Sequence, residues 1–75
     1  MTIDIEEVQK LVGRQLGLKN VGADDHLRED LGAESLDLQS IVTAMEDRFD
    51  TVFDDEELQG IETVRHLHEL VSSKA

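Results

Sequence analysis

Between Leu38 and Phe49 the apolar residues keep one spacing: Leu38, Ile41, Val42, Met45 and Phe49 recur every three or four positions. That period belongs to a helix with one buried face, because strand side chains alternate every second residue. The stretch is entered through Glu29-Asp30-Leu31-Gly32-Ala33-Glu34-Ser35-Leu36-Asp37. A serine therefore stands at a loop-to-helix junction, ringed by carboxylates, with no base nearby in sequence to activate it. A catalytic serine needs a general base and an orienting partner. A serine offered to another enzyme needs only exposure, a fixed backbone and a recognisable surface. The chain reads as a substrate or carrier and not as an enzyme.

The remainder supplies more helices and no strands. Ile5, Val8, Leu11, Val12 and Leu16 form a second stripe, predicting a helix from about Thr2–Asp4 to Gly17. Asp4 is placed to cap it with Glu7, Ile3 to staple against Val8, and Gly17 to stop it in a left-handed turn. Gly13 inside it costs about 1 kcal/mol relative to alanine. From Lys19 to Glu34 periodicity fades, and Gly22, Asp24, Asp25 and Gly32 mark turns. A sixteen-residue connection is long, so an ordered loop anchored by Val21, Leu27 and Leu31 is expected. Helix two should span Ser35 to Phe49, with Leu36 off its apolar stripe beside Gln39, Ser40, Thr43 and Asp47. Asp54-Asp55-Glu56-Glu57-Leu58 reads as one acidic turn closed by Gly60. Thr63 can cap a last helix carrying Val64, Leu67, Leu70 and Val71. The expected fold is all-α: a bundle of three main helices and one short one, in a single domain over 1–75.

Composition excludes several functions. There is no cysteine among the 75 residues, so disulfides, thiolate metal sites and cysteine nucleophiles are ruled out. Eighteen acidic against seven basic residues give a formal charge of −11. Nucleic acid and anionic membranes would repel this chain, while basic docking patches would attract it. No apolar run approaches the roughly 20 residues of a membrane span. Met1-Thr2-Ile3-Asp4 lacks the regions of a signal peptide, so a cytoplasmic protein is expected, and separately a monomer. His66 and His68 are two apart and would point in different directions on a helix. His26 with Asp24 and Asp25 matches no zinc or calcium spacing, so no specific metal site is expected. A triad built on Ser35 lacks the Gly-x-Ser-x-Gly elbow, and so small a domain has little room for a cleft.

Glu34-Ser35-Leu36, with Glu29-Asp30-Leu31-Gly32-Ala33 before it and Asp37 after it, resembles the attachment loop of free-standing acyl carrier proteins. Ala44-Met45-Glu46, Phe49-Asp50-Thr51, Gln15-Leu16-Gly17 and Asp55-Glu56-Glu57 extend the resemblance over about residues 3 to 71. It implies that Ser35 is esterified to phosphopantetheine, taken from coenzyme A by a phosphopantetheinyl transferase that supplies metal and proton acceptor. The arm's thiol would hold acyl groups as thioesters for the acyl-transferring and condensing enzymes of a fatty-acid, polyketide or specialised lipid pathway. Glu34, Leu36, Asp37, Glu46 and Asp47 are the implied docking residues. Leu31, Met45, Leu58, Ile61 and Leu67 are the implied lining of an acyl channel.

Departures from the family pattern are informative. Glu34 stands where Asp is usual, and Ser40 and Thr43 replace an acidic and an apolar contact residue. A specialised pathway is therefore a serious reading. Leu58 and Leu67 stand where alanine is frequent and His68 where isoleucine is, so less room for a long acyl chain is expected. Peptidyl carriers show a Gly-Gly-x-Ser run, which Gly32-Ala33-Glu34-Ser35 lacks, and the D-alanyl carrier has a different run before its serine. The rival from another class is an unmodified acidic interaction module that has kept the carrier fold.

Overall fold

Each apolar stripe folds into a helix in the computed structural model, which describes residues 2–74. The helices are α1 (Ile5–Leu16), α2 (Ser35–Phe49), α3 (Asp55–Gln59) and α4 (Val64–Lys74). No strand forms among the described residues; a single antiparallel bridge joins His26 to Thr63. One core takes Val8 and Val12 from α1, Ile41 and Met45 from α2, and Val64, Leu67 and Val71 from α4. Helices α1 and α2 run antiparallel, so Arg48 at the end of α2 reaches Glu7 at the start of α1, at 3.9 Å.

The beginning of α1 differs from the sequence reading. Asp4 is the residue before the helix, but its side chain makes no capping bond; its backbone carbonyl accepts from Glu7 N–H at 3.0 Å. Ile5 is only half-buried, and Ile3 lies in the core instead. The helix ends as expected, with Gly17 left-handed at φ 70°. Gly13 has a packing reason. A Cβ there would sit 2.9 Å from the Leu18 carbonyl oxygen, so the chain can turn back over the helix only if residue 13 has no side chain.

The connection from α1 to α2 is ordered by a seam of backbone bonds. Leu27 N–H donates to Glu62 O at 2.9 Å, Val64 N–H to Asp25 O at 3.2 Å, and Arg65 N–H to Ala23 O at 2.7 Å. The Arg65 guanidinium donates to Asp24 at 2.7 Å. Val21 and Leu27 are buried as expected, Leu31 is partly buried, and Ala33 joins the core unforeseen. Gly32, at φ 71°, reverses the backbone into α2. The loop that delivers Ser35 is thus fastened to the junction between α3 and α4.

Helix α3 is short and depends on its ends. The Asp54 carboxylate accepts from Glu57 N–H at 2.8 Å, and Glu57 accepts from Asp54 N–H at 3.0 Å, a reciprocal capping box. Lys74 Nζ reaches Glu57 at 2.9 Å, tying the end of α4 to α3. Thr63 Oγ1 accepts from His66 N–H, capping α4 as the sequence predicts.

Candidate functional site

Ser35 is the first residue of α2 and is exposed. The backbone around it is held on both sides. Upstream, Ala33 is buried and its N–H donates to Leu27 O at 2.8 Å. Downstream, Asp37 Oδ2 accepts from Glu34 N–H at 2.9 Å, so the third helical residue grips the residue before the serine. Glu34 occupies the cap position and forms a capping box with Asp37, in which the Asp37 Oδ2 bond to Glu34 N–H is the well-formed half. Among the described residues no imidazole or amine is hydrogen-bonded to the Ser35 hydroxyl; the three histidines are engaged elsewhere. His66 Nδ1 accepts from Glu62 and Thr63 N–H, His68 Nε2 bonds Ile3 O at 2.7 Å, and His26 stands by Asp30.

The docking candidates separate by position. Leu36 is 77% exposed beside Ser35, and Glu34 and Asp47 are also exposed. Leu36 and Asp47 line a shallow groove with Gln15, Gln39, Ser40, Thr43 and Ala44, neutral but for Asp47. Asp37 is half-buried and bonded to Glu34 N–H. Glu46 has a structural duty: its Oε2 accepts from Phe53 N–H at 2.9 Å, which pins the chain leaving α2.

The channel candidates separate as well. A mostly apolar cavity of about 330 Å³ opens between α2, α3 and α4, and Leu58, Ile61 and Leu67 line it. Leu31 and Met45 do not; Met45 is fully buried in the core. Leu38, Ile41 and Val42 form the α2 wall. Sequence spacing marks these three only as core stripe. The available signal is Leu38 with Val42, four apart and half-buried. His68 bonds the Ile3 carbonyl, just before α1, and does not line this cavity.

A family model described as a phosphopantetheine attachment site matches residues 6–71. The chain belongs to the acyl carrier protein family. The acyl carrier protein of Saccharopolyspora erythraea is 40% identical over 67 residues, covering 87% of this chain and 70% of that one. A solved structure assigned as an acyl carrier protein of Mycobacterium tuberculosis superposes with a TM-score of 0.88 at 29% identity, covering 95% of this chain and 97% of that one. Members of this family are carriers, and the cofactor of this carrier is phosphopantetheine.

The residues at the head of α2 fit such a group. The first turn of a helix leaves backbone N–H groups without intrahelical acceptors and presents the positive end of the dipole, both suited to a phosphodiester. The nearest carboxylate within that turn, Asp37, is turned onto Glu34 N–H.

Proposed function

We propose that this chain, acting as one domain, carries acyl groups as thioesters on a phosphopantetheine arm esterified to Ser35. The observation that carries the reading is an exposed hydroxyl on a backbone fixed from both sides, with no base of its own. Such a serine is built to be acted upon. In loading, the Ser35 Oγ–H bond breaks and Oγ bonds the pantetheine-bearing phosphorus of coenzyme A. The nucleoside bisphosphate leaves, and the proton passes to a base on the transferase. The bound arm supplies a thiol for thioester exchange.

Leu36 with Glu34 and Asp47 offers the docking surface for the transferase and for acyl-transferring and condensing enzymes. Asp37 and Glu46 contribute charge there, although each also holds a backbone N–H. Leu58, Ile61 and Leu67 shelter the acyl chain, while Leu31 and Met45 support that wall from the core. The cytoplasm is the proposed compartment, since loading draws on coenzyme A. The neutral groove around Ser40 and Thr43 favours partners of a specialised pathway over those that grip an acidic helix.

Intact mass after incubation with a broad-specificity transferase and coenzyme A tests the reading. One arm should be added to the protein and none to Ser35→Ala. An adduct that persists on the variant would move the attachment site. Protein from its native cells without any adduct would favour the unmodified interaction module.

A further inference from the structure

The seven cationic side chains of this chain are unevenly placed. Arg65 and Lys74 each hold a carboxylate, at 2.7 and 2.9 Å. Lys19 shares a shallow groove with Glu6 and Asp25. Arg28 borders a polar cavity of about 450 Å³ with Glu29, Gln59 and Glu62, a space that shares Leu58 and Ile61 with the apolar cavity. The remaining three, Lys10, Arg14 and Arg48, line one groove of about 460 Å³ between α1 and α2. All three are exposed, and the half-buried Leu11 and Ala44 supply the apolar part of that groove. Glu7 is the one acid lining it, and Arg48 reaches that carboxylate loosely, at 3.9 Å. Lys10 and Arg14 form no ion pair among the described residues. Solubility does not call for such a groove, since a charge of −11 already keeps copies apart.

Its position says what it meets. Gln15 and Ala44 line both this groove and the neighbouring one that carries Leu36, Thr43 and Asp47. An uncharged strip therefore separates cations on one side from Asp47 on the other. A body seated on Leu36 and wide enough to span both grooves meets both signs at once. Resting on the docking surface read above, we propose that the α1–α2 groove takes an acidic helix of the docking enzyme, while a basic patch of the same enzyme meets Asp47. Arginine can hold a carboxylate through two parallel hydrogen bonds, so Arg14 and Arg48 place the helix, and Leu11 with Ala44 receives its apolar side chains. Opposite charges on the two sides favour one orientation and penalise the reversed one. A nucleic-acid strand is disfavoured there, because the chain as a whole repels it.

Isotope-labelled protein is titrated with two stapled amphipathic helices of 12 residues, the length of α1, one bearing glutamates and the other lysines at the same positions. The glutamate helix should move the backbone amide signals of Lys10, Arg14 and Ala44, and the lysine helix those of Leu36 and Asp47. The glutamate-helix shifts should fall several-fold between about 0.1 and about 1 M salt, as the screening length drops from about 10 to about 3 Å. Lys10→Gln with Arg14→Gln, both at exposed positions, should abolish those shifts and leave the lysine-helix response intact. A response to the lysine helix alone would leave the docking surface standing and overturn the proposal. A response to the glutamate helix alone would uphold the groove and overturn the acidic docking surface beside it. An equal response to single-stranded DNA of the same charge would make the groove a general polyanion site and overturn the proposal. Glutamate-helix shifts that persist in the double variant, or the same shifts on concentrating the protein alone, would overturn it too.

Discussion

Asp37 Oδ2 accepts a hydrogen bond from the backbone N–H of Glu34 at 2.9 Å, closing a loop of backbone around Ser35. The bond satisfies a donor that the start of α2 leaves without an intrahelical partner, and it places a carboxylate at the positive end of the dipole. Asp37→Ala should lower stability by about 1 kcal/mol. It should slow loading of Ser35 as well, because the serine backbone loses its downstream tether. Denaturant melts and the time course of arm transfer, read by mass, check both. Unchanged loading with lowered stability would show that the upstream tether at Ala33 suffices.

Asp50 ends α2 in a left-handed conformation, at φ 51° and ψ 56°. It is the one non-glycine residue with positive φ among those described. A side chain there is strained by about 1 kcal/mol, and its negative charge faces the negative end of the helix dipole. Asp50→Gly should therefore raise stability by about 0.5–1 kcal/mol, and Asp50→Asn by less. The midpoint of urea unfolding should rise at unchanged slope. A fall in midpoint would mean that the Asp50 side chain holds the turn in place.

For Gly13 the usual rule is reversed. Replacing glycine by alanine inside a helix ordinarily stabilises by about 1 kcal/mol. Here the added Cβ meets the Leu18 carbonyl oxygen at 2.9 Å, and that oxygen is backbone, not the end of a flexible side chain. Gly13→Ala should lower the melting temperature, whereas alanine at an exposed position of the same helix, such as Arg14, should leave it nearly unchanged.

Helix boundaries were legible in the sequence wherever a stripe met a stop residue, as at Gly17, Ser35 and Thr63. What stayed hidden depends on contacts far along the chain. Phe53 is buried though no periodicity surrounds it, and Glu46 is occupied because Phe53 N–H lands on it. Neither could be read from spacing, since a tertiary turn brings them together. The place of Ser35 at the exposed head of α2 was legible because it depends on local features, a turn followed by a helix start. The polar cavity was not, since Arg28 and Gln59 border one space only once the loop is fastened against Glu62.

Two carboxylates make the acid limb of stability predictable. Hydrogen bonding to Arg65, and then its charge, lowers the pKa of Asp24 below the ordinary 3.8. Backbone N–H donation from Asp54, followed by the bond from Lys74, lowers that of Glu57 below 4.5. A depressed folded pKa contributes stability above the unfolded value, and that contribution is lost as pH falls through the folded one. Falling pH also relieves the self-repulsion of a chain at −11. Stability should therefore rise on mild acidification, then fall below about pH 4. Asp24→Asn and Glu57→Gln should each flatten that fall, because they lack the group that protonates. Parallel wild-type and variant curves through the acid limb would show that these pairs carry no pH dependence.

Cargo length can be read against the walls of the apolar cavity. Leu58 stands in both cavities and is half-buried, while Leu67 is almost wholly buried. Leu58 is thus the side chain whose removal opens space without gutting the core. Each buried methylene stabilises by about 0.8 kcal/mol, so an acylated series should gain stability with the first few carbons. The gain should level off when the chain meets Leu58 and Leu67. Leu58→Ala should move that plateau to longer chains. The empty variant should lose about 2 kcal/mol, the low end for a leucine truncation, because part of Leu58 already faces solvent. Melting the loaded proteins side by side, differing only in acyl length, gives both quantities. Stability that keeps climbing through long chains in the unmutated protein would show that the leucines leave the channel open, and that its length is set elsewhere.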